Sequence, residues 1–314
     1  MEIIAHTQDI SLDLSQGTCV TIGNFDGVHA GHRRLIGRTV DKARALGLHA
    51  VAITFKPHPL RLFMGMEAPP LITDYAHKLD LLAETGLDAV VELDFTHELA
   101  ALSPESFVHT FLVDGLNVRE LVIGYDFSLG KGRVGNADML RALGERYGFG
   151  LERHEPVIVN DAVVSSSRVR DVLRAGDVWG VKPLLERFHD VSGIVVRGMG
   201  RGSKMLGFAT ANIEQNDEQL PSVGVYATWV TIHGQRKLGV TNIGHNPTFN
   251  NEHLSIETHI LDFDEDIYGD PINVAFVQRL RMEKRFNGID ELVSQITQDV
   301  ALARELLALP ETQG

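Results

Sequence analysis

The chain has 314 residues, of which 44% are hydrophobic, and a formal net charge of −13 at pH 7. This length is enough for two domains. No apolar run approaches the roughly 20 residues of a membrane span, and the acidic balance argues against non-specific binding of nucleic acid. The first residues lack a basic segment before an apolar one, so no secretory signal is evident and we expect a cytoplasmic protein. The single cysteine, Cys19, excludes an intrachain disulfide.

The first informative stretch, residues 21–32, reads T-I-G-N-F-D-G-V-H-A-G-H. Apolar residues before Gly23 predict the end of a buried strand, and Gly23 and Gly27 predict a turn. A helical apolar period then begins near His32 and ends at Gly47. A strand that turns into a helix directs free backbone N–H groups and the positive end of the helix at the sheet edge, which suits a phosphate.

His29 and His32 stand three residues apart, so both can face one ligand from the first helical turn. There they would donate charge-assisted hydrogen bonds to a phosphorus centre and its leaving pyrophosphate. Two simpler interpretations are open: a packing feature of the helix start, or a metal site, to which neighbouring residues add only Asp26 as a ligand. The spacing H-x-G-H directly after G-N-F-D-G is more specific than either.

Farther along, strands alternate with helices. Strands are predicted at residues 49–55, 89–93 and 121–123, and helices at residues 74–85 and from Ser103, which caps a helix whose first residue is Pro104. This alternation predicts a parallel sheet covered on both faces, with ligands bound beyond the carboxyl ends of its strands. The opening motif, residues 56–59 and the loop after Ile123 all fall at that edge.

Two more segments of this half suit an anion. Residues 124–135 carry four glycines and two cations, which favours a phosphate- or ring-contacting loop, with a flexible surface loop as the alternative. In residues 163–170, three serines precede a helix, where their hydroxyls can cap it and meet an anion. Arg168 and Arg170 add planar cations suited to bidentate phosphate contact. The alternative is a well-capped helix with solvated arginines.

From residue 190 onward the pattern changes to short strands separated by glycine turns. A short helix opened by Gly176 and Asp177 precedes them, and a longer helix from residue 289 to about residue 309 closes the chain. Strands are predicted at residues 191–197, 225–233, 236–242, 254–261 and 272–281. This half therefore reads as a small antiparallel barrel with one helix.

The barrel half carries its own candidate chemistry. Residues 198–212 hold four glycines, which alone is weak evidence of a site because turns use glycine freely. Thr210 and Asn212 are two apart on an extended segment, so they face the same side and can present a hydroxyl and an amide to Mg²⁺ and phosphate oxygens. Residues 242–249 form a second tight loop. Glu257 lies in the middle of a predicted strand, where an outward polar residue is the simplest interpretation.

These motifs resemble those of known enzymes. G-N-F-D-G-V-H-A-G-H is similar to the nucleotide-binding motif of the HxGH nucleotidyltransferase superfamily, in the form found in bacterial FAD synthetases. Residues 124–131 and 165–170 resemble that family's G-x-D-F-x-F-G-K and S-S-T-x-I-R segments, with Leu129 for Phe and Ser167 for Thr. The second half resembles the riboflavin kinase domain in its G-R-x-L-G-F-P-T-A-N loop, its N-P-T-F loop and its strand glutamate. Ala209 replaces the Pro and Lys204 the Arg of that first loop.

The resemblance assigns roles residue by residue. It implies that Glu257 accepts the proton of the ribityl 5′-hydroxyl, that His29 and His32 stabilise charge on a triphosphate, and that Thr210 and Asn212 hold the metal and phosphates. Nucleotide or phosphate binding is implied for Gly23, Asn24, Phe25, Asp26, Gly31, Ser165, Ser166, Ser167, Arg168, Arg170, Gly200, Lys204 and Gly207. Flavin binding is implied for His58, Asp126, Phe127, Asn246 and Thr248.

The prediction is therefore a prokaryotic-type bifunctional riboflavin kinase/FMN adenylyltransferase of α/β class. A Rossmann-like HxGH nucleotidyltransferase domain is expected at residues 1–187, and a small antiparallel β-barrel with a C-terminal helix, the kinase domain, at residues 188–314. The resemblance implies ATP as co-substrate, riboflavin, FMN and FAD as substrates or products, and Mg²⁺ in both steps. We expect no nucleic-acid or membrane partner and a monomer or weak homo-oligomer.

Three alternatives stay open at this point. The chain could be an FMN adenylyltransferase only, with a non-catalytic flavin-binding barrel. It could be a transferase acting on another phosphate, although the barrel motifs argue against that. It could also be a flavin-sensing regulator, against which the intact His29, His32 and Glu257 count, because a binding protein needs no base.

Overall fold

A computed structural model of the chain describes residues 1–130, 132, 134–198, 208–215, 217–245 and 254–313, except for the side chain of Gln8. The chain forms two compact units. The first comprises Met1–Pro69 and Tyr75–Ser165, and the second comprises Pro70–Asp74 and Ser166–Gly314. The second unit therefore takes up residues 166–187 and a five-residue segment from the first half of the sequence. The predicted domain boundary after residue 187 stays a prediction.

The first unit is built on a six-stranded parallel sheet. In this sheet the strands lie in the order β1-β4-β3-β2-β5-β6, and every neighbouring pair is parallel. The strands are β1 (Glu2–Ile4), β2 (Thr18–Ile22), β3 (His49–Lys56), β4 (Ala89–Asp94), β5 (Val118–Gly124) and β6 (Gly150–His154). A short antiparallel hairpin follows, formed by β7 (Ile158–Val159) and β8 (Ala162–Val163). From β2 the sheet extends through β3 and β4 on one side and through β5 and β6 on the other. The strand order therefore reverses between β2 and β5, and sheets of this type bind ligands at such a switch point.

Helices cover both faces of this sheet. They are α1 (Ala30–Leu46), α2 (Pro59–Met64), α3 (Tyr75–Ala83), α4 (His97–Ala100), α5 (Pro104–Phe107) and α6 (Ala137–Tyr147), and α5 continues as a π-helix over Val108–Asp114. All five residues of β2 are buried because successive side chains enter different cores: Cys19 packs on one face and Val20 on the other. That is why the apolar residues Cys19, Val20 and Ile22 of this strand do not alternate regularly with polar ones.

In its described residues, the second unit comprises a closed antiparallel barrel and three α-helices. Its helices are α7 (Ser166–Arg174), α8 (Val178–Leu185) and α9 (Ile289–Leu307). Its strands are β9 (His189–Val196), β10 (Ala211–Gln215), β11 (Gly224–Ile232), β12 (Gln235–His245), β13 (Leu254–Ile260) and β14 (Pro271–Arg281), which close in the order β10-β13-β12-β11-β14-β9. The apolar stripe of α9 packs on the outside of the barrel, where Ala303 and Leu307 join the cluster of Val225, Trp229 and Val240.

The predicted fold class is confirmed in both halves. The five predicted barrel strands begin and end within about three residues of the observed ones. Among the strands of the described residues, β1, β6, β7 and β8 were not predicted, and β10 was expected only as an extended segment. The start of α1 was wrong by two residues: the helix begins at Ala30, because His29 has extended backbone angles and caps it from outside.

A line of hydroxyl groups crosses the barrel interior. The hydroxyl groups of Thr228 and Thr241 lie 2.9 Å apart and those of Thr241 and Thr258 lie 3.0 Å apart, and all three residues are fully buried. Thr241 therefore gives both of its neighbours a hydrogen-bond partner in a place without access to solvent. A buried hydroxyl that loses its partner bears the full cost of its desolvation.

Replacing Thr241 by valine should lower the free energy of unfolding of the second unit by about 1–3 kcal/mol, because the hydroxyl groups of Thr228 and Thr258 lose this partner. Both tryptophans, Trp179 and Trp229, belong to that unit, so urea unfolding followed by tryptophan fluorescence reports on it. Thr241→Ser keeps the hydroxyl and should lose much less. Equal losses in both variants would show that the methyl group, not the hydrogen bonding, matters.

Candidate active sites in the two units

The predicted turn after β2 is present and tightly constrained. The Gly23 N–H donates a hydrogen bond to the Ile53 carbonyl at 3.0 Å, which holds the turn to the neighbouring strand. Phe25 (φ 49°) and Val28 (φ 37°) adopt left-handed backbone conformations that non-glycine residues rarely take, and both are fully buried. A Cβ on Gly23 would lie 2.8 Å from the Phe25 ring, so only glycine lets that ring pack here. The turn is therefore fixed by packing.

His29 is the N-cap of α1. Its Nδ1 accepts a hydrogen bond from the His32 backbone N–H at 3.3 Å, so in the neutral ring the proton lies on Nε2. The residue is only 5% exposed. A Cβ on Gly31 would lie 3.1 Å from His29 Cε1, so glycine gives the ring its place. The spacing H-x-G-H thus has a local reason: a capping histidine, a glycine beside its ring, and a second histidine one turn later.

His32 stacks on His29. The two ring centroids lie 3.6 Å apart at an interplanar angle of 14°, and the Phe25 ring meets His32 edge-on at 5.4 Å. Burial, followed by the charges of His29 and Lys78, holds the pKa of His32 well below its usual value. Its Nδ1 is buried without a hydrogen-bond partner among the described residues. In the free chain His32 is therefore neutral, and the expected charge-assisted hydrogen bond requires proton uptake when an anion binds.

A buried lysine that the sequence analysis missed also belongs to this site. Lys78 of α3 is 4% exposed, and its Nζ donates to Thr54 Oγ1 at 3.0 Å and to the Phe55 carbonyl at 3.4 Å. The Thr54 hydroxyl in turn donates to the Asn24 carbonyl at 3.2 Å. Burial lowers the pKa of Lys78 to about 8. The available signal was its place on the apolar face of a predicted helix.

The other predicted residues of this edge are also at the ends of strands. His58 caps α2, with Nδ1 accepting from the Leu60 N–H at 3.2 Å, and its own backbone N–H donates to the Tyr75 hydroxyl at 2.8 Å. Phe127 packs against the core below β5, whereas Asp126 is exposed.

Leu129, the residue that departs from the family pattern, is buried. It forms an antiparallel bridge with Gly135 rather than presenting a ring to a ligand. The cations of this loop, Lys131 and Arg133, lie outside the described residues.

The serine and arginine segment begins beside the histidine motif. The Val164 carbonyl lies 3.7 Å from the position of a Cβ on Gly31, which brings the residue before Ser165 to the H-x-G-H turn. Ser166, Ser167 and Arg168 lie at the start of α7 in the second unit. Arg170 is 7% exposed, and its Nε donates to the Pro70 carbonyl at 2.7 Å. One edge of this guanidinium is thus committed to a backbone carbonyl, and its predicted phosphate contact stays a prediction.

In the barrel, Glu257 lies between two amides. The register places Asn212 of β10 and Asn242 of β12 directly opposite it on either side, so the three side chains share one face. This is the outer face, because Ile256 and Thr258 on the same strand are buried in the interior. The side chain is nevertheless partly covered, and this burial raises the pKa of Glu257. The residue is therefore more than an outward polar side chain.

The segment before β10 is anchored on β13. His259 Nδ1 lies 2.7 Å from the Ala209 carbonyl, so this nitrogen carries a proton and donates it, and the Phe208 ring packs edge-on against His259. Thr210 is exposed at the mouth of a cavity of about 260 Å³. Also lining the cavity are Ala211, Thr258, Ile260, Ile267 and Tyr268. The histidine thus holds this segment at the position where the family pattern has a proline.

Asn212 and Gly198 face each other closely. A Cβ on Gly198 would collide with the Asn212 amide, so glycine is needed beside it. The predicted residues Gly200, Lys204, Gly207, Asn246 and Thr248 lie outside the described residues. Among the described residues, no helix is long and apolar enough to cross a membrane.

A strand, turn and helix that carry the histidine motif on a parallel sheet, together with a carboxylate flanked by amides on a barrel, form the arrangement expected of a transferase with two sites. Comparison with known proteins agrees with this class. The family model for FAD synthetase matches residues 12–168, and that for riboflavin kinase matches residues 185–307. The chain belongs to the bifunctional riboflavin kinase/FMN adenylyltransferase family, and the predicted family is confirmed.

Individual relatives cover almost the whole chain. The bifunctional riboflavin kinase/FMN adenylyltransferase of Escherichia coli K12 is 37% identical over 98% of this chain and 99% of its own length. The protein of that name from Pseudomonas fluorescens is 38% identical over 93% of this chain and 94% of its own. A solved structure from Streptococcus pneumoniae, described as a macrolide-efflux protein, matches with a TM-score of 0.85 and 28% identity, covering 96% of this chain and 98% of that one.

The low pKa of His32 makes the stability of the first unit depend on pH. Below a pH of about 6.5, His32 binds a proton in the unfolded state but not in the folded state. The free energy of unfolding should therefore fall as the pH is lowered, with a slope of up to about 1.4 kcal/mol per pH unit. Hydrogen exchange of β2 and α1 peptides between pH 7.5 and 5.5 measures this loss. The variant His32→Gln should lack the part of the pH-dependent loss that is due to protonation of His32. Identical pH dependence in both proteins would mean that His32 is readily protonated in the folded chain.

Proposed function

We propose that this chain makes FMN from riboflavin and ATP at the barrel, and FAD from FMN and a second ATP at the parallel-sheet unit. In the first step the ribityl 5′-hydroxyl attacks the γ-phosphorus and ADP leaves. In the second, a phosphate oxygen of FMN attacks the α-phosphorus of ATP and pyrophosphate leaves. The observation that carries the proposal is the placement of Glu257 between Asn212 and Asn242, because a carboxylate in this setting serves a reaction rather than solubility.

Glu257 is proposed as the general base of the kinase step. A primary alcohol is a weak nucleophile at neutral pH, and a positioned carboxylate that removes its proton contributes roughly 10²–10⁴ in rate. The burial that raises the pKa of Glu257 makes the carboxylate more basic, and the side chain stays partly exposed. The neighbouring amides can orient it without competing for the proton.

Mg²⁺ is proposed to bind at Thr210 and Asn212. A hydroxyl and an amide oxygen are the kind of oxygen ligands that Mg²⁺ takes together with substrate phosphates. The close approach of Asn212 to Gly198 shows that the backbone leaves room for this amide on the outer face. The ion would neutralise negative charge on the triphosphate, which an acidic chain of net charge −13 needs. We extend the Mg²⁺ requirement to the adenylyl transfer step.

In the first unit, the start of α1 is proposed to receive the triphosphate of ATP. The His29 Nε2–H and the imidazole of His32 would stabilise charge on the phosphates, with Gly23, Asn24, Phe25, Asp26 and Gly31 forming the turn around them. Ser165 is proposed to join this phosphate site, and the phosphate roles of Ser166, Ser167, Arg168 and Arg170, which belong to the second unit, stay predictions. These contacts are charge stabilisation and positioning, which suffice for nucleotidyl transfer.

The flavin is proposed to bind near α2. Next to His58, the apolar side chains of Leu60, Phe63 and Met64 are 40%, 62% and 44% exposed, which is unusual for three neighbours on one short helix. An isoalloxazine ring is a flat apolar partner for such a surface. Asp126 and Phe127 are proposed as further flavin contacts. The roles of Gly200, Lys204, Gly207, Asn246 and Thr248, the cytoplasmic location, and the monomeric or weakly associated state stay predictions.

The test is a time course with the purified full-length chain, riboflavin, ATP and Mg²⁺, with flavins separated by chromatography. FMN should appear first and FAD second, with ADP and pyrophosphate as co-products, and supplied FMN should give FAD directly. Conversion of FMN to FAD without any use of riboflavin would show an adenylyltransferase with a non-catalytic barrel. Binding of flavins without turnover of either kind would show a flavin-sensing regulator.

Glu257→Gln should lower riboflavin phosphorylation roughly 10²–10⁴-fold, because the amide keeps the shape of the side chain but accepts no proton. FAD synthesis from supplied FMN should continue. The matched control is Glu214→Gln, an exposed glutamate on the same face of β10 two residues beyond Asn212, which should keep the kinase activity. A Glu257→Gln protein with the wild-type kinase rate would exclude this residue as the base.

A further inference from the structure

Lys78 is an ammonium group in the interior of the first unit with few charged neighbours. Removing such a group from water costs several kcal/mol, so a buried lysine normally forms a close ion pair. Here the nearest carboxylate oxygen, Glu92 Oε1, is 3.9 Å away and has no hydrogen-bond partner among the described residues. The short contacts of Lys78 go instead to a hydroxyl and a backbone carbonyl at the end of β3. The lysine is therefore placed for something other than this ion pair.

The hydrogen bonds define a relay with a fixed direction. An ammonium group only donates, so Thr54 Oγ1 must accept from Lys78 Nζ, and the hydroxyl hydrogen of Thr54 is left for the Asn24 carbonyl. Asn24 immediately precedes Phe25, whose left-handed backbone places its ring against Gly23 and edge-on to His32. The relay thus ends on the turn that carries the histidine motif.

We propose that Lys78 is a positioning residue for adenylyl transfer: through Thr54 it fixes the Asn24 carbonyl and hence the phosphate-binding turn, and its positive charge acts on His32. This rests on the proposed function of the first unit and adds a residue to that site. The charge of Lys78 opposes protonation of His32 in the free chain. Binding of the triphosphate would then supply the negative charge that lets His32 take up a proton.

The first test separates the relay from general stability. Thr54→Val removes the hydroxyl at nearly constant volume, whereas Thr54→Ser keeps the hydroxyl. Thr54→Val should lower kcat/KM for FAD synthesis by about 10²-fold, the typical cost of a displaced active-site group, and Thr54→Ser should restore most of it. Riboflavin phosphorylation should be unchanged in both. Equal activity of the two Thr54 variants, or equal loss in both, would overturn the relay.

The second test addresses Lys78 itself. Lys78→Met leaves Glu92 buried without its cation, so the double variant Lys78→Met/Glu92→Gln is made to recover stability. Thermal unfolding should recover in the double variant, while FAD synthesis stays low in both. If FAD synthesis recovered together with stability in the double variant, Lys78 would have only a structural role. Lys42→Met, which removes a lysine paired with Glu120 in the same unit, is the control that should keep its FAD synthesis.

The pH dependence of FAD synthesis distinguishes a role of the Lys78 charge from a purely structural role of this residue. Because the pKa of Lys78 is about 8, kcat/KM of the wild type for FAD synthesis should decline above that pH, and the residual activity of Lys78→Met should lack this decline. Charged groups that act on Lys78 are Glu92 of β4, Asp26 of the turn and Lys56 of β3. The phenol of Tyr75, whose pKa is raised by burial, titrates higher still. An unchanged alkaline limb in Lys78→Met would overturn the charge role.

Hydrogen exchange tests the positioning role of Lys78 independently of the proposed reaction. Loss of the relay should speed exchange of the turn amides after Asn24 in Thr54→Val and not in Thr54→Ser, whatever reaction the unit performs. A wild-type chain that makes no FAD would refute the proposed function. Unchanged exchange in Thr54→Val would refute the positioning role of Lys78 even in an active enzyme.

Discussion

The packing of the Phe25 ring on Gly23 is the contact on which the first site depends. It requires a left-handed backbone at Phe25, which the chain accepts because β2 and the Gly23 N–H are already held in the sheet. This turn places His29 at the N-cap of α1 and His32 in the first turn of the helix, where the two imidazole rings stack. The Asn24 carbonyl of this turn is in turn held by Thr54 of β3, whose hydroxyl accepts from the buried Lys78 of α3.

The barrel meets the same need for a fixed polar site by a different device. Closure pairs every strand on both sides, so side-chain neighbours are set by register rather than by a turn. Glu257 obtains Asn212 and Asn242 in this way, while the opposite face of the same strand enters the interior, where Thr258 joins the hydroxyl line. A one-residue slip of β13 would exchange the two faces and destroy the core and the site together.

The sequence predicts the features that depend on interactions between residues close in the chain, and it misses those that depend on distant residues. Barrel strands and α9 could be predicted because their apolar periods are local, and β1 was missed because three residues carry no period. The pairing of Glu257 with two amides could not be predicted, because register joins residues that are far apart in the sequence. Lys78 was missed for a related reason: a lysine on a helix is normally solvated, and its hydrogen bonds to Thr54 and through it to Asn24 join residues that are far apart in the sequence.

The two proposed reactions also explain why the two sites contain different groups. The kinase step starts from an alcohol, which must lose a proton to attack, and the barrel supplies a carboxylate whose pKa is raised by burial. The adenylyl step starts from a phosphate monoester, whose second pKa of about 6 leaves it already anionic at neutral pH. A base would add nothing there, and the difficulty is to bring one polyanion to another. Under the proposed reaction, hydrogen-bond donors and a buried ammonium group would meet that difficulty, and the turn, α1 and α3 bring groups of this kind together.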